Sequence, residues 1–186
     1  MHLTLTGDLG SGKSTVAKIL LDRLGLTYYS TGSILRKMAE ENGISILEMN
    51  ERASKDKTID KQIDDATAAL ADSSVQYLVD SRLAWHFLPK SFKVKLKVDA
   101  KEAAKRVLGD KTRSSAEKYV SEEDAFTHLI ARRKEEVRRF KEIYKVDIED
   151  DTQFDLVIDT TNISPEKVAS LIEEKYKEMQ IACEKH

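Results

Sequence analysis

A chain of 186 residues accommodates one compact domain with a small insert and buries about 70% of its unfolded surface. Hydrophobic residues at 40% and charged residues at 34% exclude wholesale disorder. The 31 Lys and Arg nearly cancel the 33 Asp and Glu, so no global charge excess points to a nucleic-acid or membrane partner.

Two Pro and seven Gly leave few turn formers for a many-stranded all-β fold, and helix is expected to dominate. Residues 1–6 lack the basic and long apolar regions of a secretion signal, and 3–6 read as a short strand. After a loop at 7–12, Val16, Ala17, Ile19, Leu20 and Leu24 recur at helical spacing, and Gly25 is placed to end that helix. Residues 26–30 read as a second strand, and 34–71 as two or three small helices broken near Gly43 and Ser54-Lys55. A third strand is expected at 75–79, a fourth at 92–98 and a fifth at 154–158. The fourth alternates apolar residues with Lys93, Lys95 and Lys97, which predicts one buried face, one solvent face and an edge position. Helices are expected at 101–108 and 121–144, with a polar hinge at 109–116 before the second. A last helix follows Asn162, with Pro165 in its first turn. Strands alternating with helices predict an α/β fold, a five-stranded, mostly parallel sheet with helices on both faces. The lone Cys183 excludes an internal disulfide and fits a reducing compartment. No window approaches the roughly 18 consecutive apolar residues of a membrane span, so the protein is expected to be cytoplasmic.

Gly7-Asp8-Leu9-Gly10-Ser11-Gly12-Lys13-Ser14 matches G-x-x-x-x-G-K-[ST] between a strand and a helix, the context in which this pattern cradles phosphates. Its glycines let successive N–H groups turn inward, and the helix dipole adds partial positive charge. The loop from Gly7 through Lys13 and Ser14 to Thr15 is expected to hold ATP. Lys13 then reaches the β- and γ-phosphates, and Ser14 ligates Mg²⁺. No N-K-x-D guanine reader occurs, and the D-x-x-G match at Asp22–Gly25 falls inside the first helix, so a GTPase is excluded. A small phosphotransferase fits best, and a regulator that only binds ATP stands as the alternative.

Further positions can serve the phosphates or their metal. Thr31 and Gly32 follow the second strand at its carboxyl end, where ligands collect in open α/β sheets. Arg36, five residues on, can bring a guanidinium fork to a monophosphate or simply face solvent. Asp80 ends the third strand, placed either to hold Mg²⁺ with Ser14 or to cap the next helix. Arg132, Glu136 and Arg139 fall at i, i+4 and i+7 on one helix face, the arginines about 20° apart. That face is either a phosphate clamp or a salt-bridged solvent surface. Arg133 and Arg138 point elsewhere on the helix and are given at most a supporting role. From Arg132 to Lys141 six basic residues stand against two acidic ones, so the near-neutral chain conceals a cationic helix. Trp85 is expected to pack rather than to stack on a base.

The phosphate loop, residues 30–36, Ile59-Asp60 with Asp64, Ser81-Arg82-Leu83-Ala84, the 132–144 helix and residues 154–158 together resemble the cytidylate kinases of the short, archaeal-type branch. The resemblance implies a monomeric nucleoside monophosphate kinase that moves the ATP γ-phosphoryl group to CMP or dCMP. It implies a P-loop NTPase fold with a helical acceptor-binding insert at 32–72 and a lid at 109–140. Thr31, Gly32, Arg36, Arg82 and Glu136 would hold the acceptor, Arg132 and Arg139 the transferring phosphoryl group, and Ser14 and Asp80 the metal. Asp65, Ala66 and Thr67 stand where the family usually has arginines and a glutamine near the base, which leaves another small acceptor open.

Overall fold

The computed structural model describes residues 1–45, 48–49, 52, 56–110 and 119–184. Its strands are β1 (Leu3–Gly7), β2 (Thr27–Ser30), β3 (Tyr77–Asp80), β4 (Phe92–Lys97) and β5 (Leu156–Asp159). They form one all-parallel sheet in the order β2-β3-β1-β4-β5. The helices are α1 (Lys13–Leu24), α2 (Thr31–Glu41), α3 (Lys57–Ala68), α4 (Ala84–Phe87), α5 (Ala100–Gly109), α6 (Glu122–Tyr144) and α7 (Pro165–Glu184). Most of the expected hinge, from residue 111 to 116, lies outside the described residues, as do parts of the expected insert. No helix of the described residues is long and apolar enough to cross a membrane.

Alternation along the strands decides what each face buries. Leu3 and Leu5 pair in register with Leu78 and Asp80 on one side and with Phe92 and Val94 on the other. That face packs on Val16, Ala17 and Leu20 of α1 and on Val168, Ala169, Ile172 and Tyr176 of α7. Each large apolar side chain fully withdrawn from water there contributes roughly 1.5–3 kcal/mol. The core thus anchors α1, whose first residue is Lys13, against the carboxyl ends of β1 and β3.

The position of β4 corrects the sequence reading. The strand lies between β1 and β5, not at an edge, and Lys95 is only 3% exposed. Lys95 Nζ donates to the Ile148 carbonyl at 2.9 Å and to Asp151 Oδ1 at 2.7 Å, and sits 5.2 Å from the Phe154 ring centre. Lys97 takes the other Asp151 oxygen at 2.9 Å. The chain returning from α6 folds over the lysine face and supplies the partners that water would have supplied. A buried ammonium is tolerated when it is paired in this way.

Caps explain two boundaries. Ser30 accepts from the Ser33 N–H at 3.1 Å and Ser33 Oγ reaches back, a reciprocal box that starts α2 at Thr31, three residues before the expected helix. Ser121 caps α6 ahead of Glu122, Glu123 and Asp124, whose charges favour the positive end of the helix.

Candidate active site

The phosphate loop is shaped by its neighbours. The Asp8 N–H donates to the Leu96 carbonyl at 2.9 Å, and Asp8 Oδ2 accepts from the Val98 N–H at 3.2 Å, which ties the loop to β4. Gly10 and Gly12 have φ of 81° and 80°, the left-handed region in which an L side chain is strained. A Cβ on Gly10 would stand 2.9 Å from Ala103 Cα, whereas one on Gly12 would meet nothing within 4 Å. Gly10→Ala should therefore cost about 1–3 kcal/mol more stability than Gly12→Ala, measured by urea unfolding, because overpacking adds to the shared backbone strain.

Behind the loop, Thr160 is buried and donates to the carbonyls of Ser11 at 3.1 Å and Lys97 at 3.0 Å. Arg106 Nη2 donates to the carbonyls of Thr160 and Thr161, each at 2.9 Å. Residues 8–16 line a cleft of about 460 Å³ together with Arg82, Arg106, Thr160, Ile163 and Pro165. Ser11 is 2% exposed, and its Oγ has no hydrogen-bond partner among the described residues. An orphaned buried hydroxyl in a loop of this shape fits a site completed by phosphate oxygens.

Lys13 forms an ion pair with Asp80, and Tyr28 donates its hydroxyl proton to Asp80 Oδ2 at 3.1 Å. The carboxylate therefore serves the P-loop lysine rather than capping a helix. Burial raises the Tyr28 phenol above its ordinary value, and the Asp80 charge adds to that. Ser14 and Asp80 carry hard oxygen donors of the kind that would hold Mg²⁺.

Glu136 on α6 sits between two arginines, Arg82 Nη1 at 2.6 Å and Arg132 Nε at 3.5 Å. Burial lowers the Arg82 guanidinium below its ordinary value. Glu136 opposes that shift, while Arg132 and Arg133 reinforce it. Two guanidinium groups thus share one carboxylate beside the loop, and the charge of Arg133 acts on the same Arg82. Arg139 pairs instead with Asp60 of α3, so the structure does not bring it together with Arg132 at the phosphate loop. Thr31 and Gly32 open α2, and Arg36 lies one turn on, its Nη1 3.5 Å from where a Gly32 Cβ would stand.

Arg133 points away from the face of Arg132 and Arg139, as expected. It approaches Asp8 of the loop at 3.6 Å and Glu149 at 3.7 Å. The buried side of α6 runs through Ala125, Leu129, Val137 and Phe140, and Arg133 lies in the middle of that stripe. A cation within an apolar stripe was the available signal, but spacing between charges selected the flank instead. Arg138 does face solvent, held by Glu135 and Glu142. Trp85 is 4% exposed and donates to the Arg82 carbonyl at 3.0 Å, a packing residue as expected. Arg106 and Tyr28 carried no motif and were missed.

An all-parallel sheet with a G-x-x-x-x-G-K-S loop entering α1, and a strand-end acid beside the lysine, defines a P-loop phosphotransferase. Solved structures share the fold. A protein from Eubacterium ventriosum gives a TM-score of 0.73 at 16% identity, covering 95% of this chain and 98% of that one. The shikimate kinase of Bacteroides thetaiotaomicron gives 0.66 at 14% identity, covering 97% and 98%. The cytidylate kinase-like family is matched over residues 2–162, and the chain belongs to it. Cytidylate kinase of Sulfurisphaera tokodaii is 33% identical over 93% of both chains. That of Methanobrevibacter smithii is 34% identical over 92% of this chain and 96% of its own.

Proposed function

We propose that the protein transfers the γ-phosphoryl group of ATP to CMP or dCMP, giving the diphosphate. The observation that carries this reading is the cationic group Arg82, Arg132 and Arg133 beside the P-loop, with Arg82 and Lys13 lining one cleft. Family membership supports cytidylate as the acceptor.

The loop amides and Lys13 hold the donor triphosphate, while Arg36 and Arg82 hold the acceptor phosphate with Thr31 and Gly32 beside it. Ser14 and Asp80 would hold Mg²⁺, which would supply neutralisation of the phosphate charge. Arg132 meets charge developing on the transferring group, and Arg139 joins it only after leaving Asp60. An acceptor phosphate is already anionic, so no general base is needed. The insert at 32–72 and the lid at 109–140 would close over the nucleotides and exclude water, which otherwise competes as acceptor. On this reading the protein acts as a cytoplasmic monomer on free nucleotides.

Release of ADP from Mg·ATP, measured with each ribo- and deoxyribonucleoside monophosphate, tests this. Strong stimulation by CMP or dCMP is the expected result. Stimulation by another acceptor alone would reassign the substrate. Tight ATP binding with no stimulation would leave a regulator.

A further inference from the structure

Asp8 places an acid in a loop built to hold phosphate. One of its oxygens, Oδ2, is spent on β4, where it accepts from the Val98 N–H at 3.2 Å. The other, Oδ1, faces Arg133 Nη1 of α6 at 3.6 Å. The next loop residue, Leu9, packs against the apolar cluster that joins Ala103 of α5 to Leu129 of α6. Leu129 and Arg133 lie one helical turn apart, so two adjacent loop residues hold one side of α6, Leu9 by apolar contact and Asp8 by charge.

A cavity of about 240 Å³ lies between loop and helix, bounded by Asp8, Leu9, Arg82, Arg133 and Glu136 among others. The helix is therefore not packed solidly on the loop, and its setting there depends on these two contacts. Arg132 precedes Arg133 directly, so what fixes the helix at Asp8 also fixes where Arg132 stands. Charge gives the pair a second consequence. A carboxylate repels phosphate oxygens gathered by the neighbouring amides, and Arg133 offsets that repulsion. The two charges also act on Arg82 in opposite senses.

We infer that Asp8 and Arg133 are positioning residues, whose ion pair sets α6 so that Arg132 meets the transferring phosphoryl group and screens the donor triphosphate from the Asp8 charge. This rests on the nucleotide-kinase reading above. Neutralising either partner loosens the helix, but the two changes act on the donor with opposite sign. Asp8→Asn keeps an oxygen for the Val98 N–H and removes the repulsion. Glu149, 3.7 Å from Arg133 Nε, then draws the arginine off the loop. Arg133→Gln leaves the Asp8 charge facing the triphosphate unscreened.

The test is a double-mutant cycle over Asp8→Asn, Arg133→Gln and the two combined, read in kcat at saturating ATP and CMP and in the Kd for ATP by calorimetry. Each single variant should lower kcat by about 5-fold, and the combined variant should fall no further, because the same ion pair is lost in all three. The Kd for ATP should drop by about 3-fold in Asp8→Asn, rise by about 3-fold in Arg133→Gln and return close to wild type in the combined variant. An unchanged kcat in Asp8→Asn would reduce Asp8 to an acceptor for β4 and overturn the inference. Losses of kcat that multiply in the combined variant would also overturn it, since Arg133 would then act on phosphate without Asp8. Both results leave the kinase reading standing, whereas a wild type inert toward every nucleoside monophosphate overturns both. If Arg133→Gln does not fold, Arg133→Met, which keeps the stem within the apolar stripe, takes its place in the cycle.

Discussion

Lys13→Met should lower kcat by about 10³-fold, since one preorganised charge on the transferring group supplies a barrier reduction of that order. The ion pair with Asp80 gives this variant a second readout. Asp80 is 8% exposed, and its two oxygens are divided between Lys13 and Tyr28. Removing the ammonium leaves a largely buried carboxylate with the tyrosine hydroxyl as its remaining described partner. That should cost about 1–3 kcal/mol of stability in chelator. Magnesium then competes with no lysine for the same oxygen, so adding Mg²⁺ should raise the melting temperature of the variant more than that of the wild type. On the proposed function, Lys13 would exchange the carboxylate for phosphate oxygens as the donor binds, which would leave that Asp80 oxygen to hold Mg²⁺. A variant that keeps wild-type kcat would remove Lys13 from the transferring group. One that loses activity without the differential magnesium response would show that Asp80 is not the metal-facing acid.

Local signals made much of this site legible and tertiary ones did not. The loop from Gly7 to Ser14 is contiguous, its glycines are demanded by left-handed backbone at Gly10 and Gly12, and strand and helix flank it in sequence. Asp80 could be placed because a strand end is itself a local feature. The lysines of β4 could not, because alternation reports which residues share a face and is silent on what covers it. Asp151, 56 residues beyond Lys95, supplies the cover. The face of α6 was chosen by charge spacing, which favoured Arg132 and Arg139, while the apolar stripe that docks the helix carries Arg133 to the loop. Tyr144 meets Asp64 across 80 residues of chain, and no pattern within either helix announces that pairing.

The same geometry makes Arg132→Ala the second large effect, with kcat falling by at least about 10²-fold and ATP affinity changing little. Arg132 shares Glu136 with Arg82, the arginine that holds the acceptor on the proposed function, and is not among the residues lining the P-loop cleft. On that reading an arriving acceptor phosphate would draw both cations from Glu136, and the cost of loosening those pairs would be recovered when charge spreads over the transferring group. A residue used in that way appears in kcat more than in KM. Removing Arg132 also leaves Glu136 to Arg82 alone, which strengthens that pair and should raise the KM for CMP moderately. Arg138→Ala is the control. Its side chain lies in the exposed ladder with Glu135 and Glu142, where such pairs contribute little, and its rate should match the wild type. Equal rates for Arg132→Ala and Arg138→Ala would mean that the whole polar side of α6 is a solvated surface. The transition-state charge would then fall to Arg133, the cation that the apolar stripe delivers to Asp8.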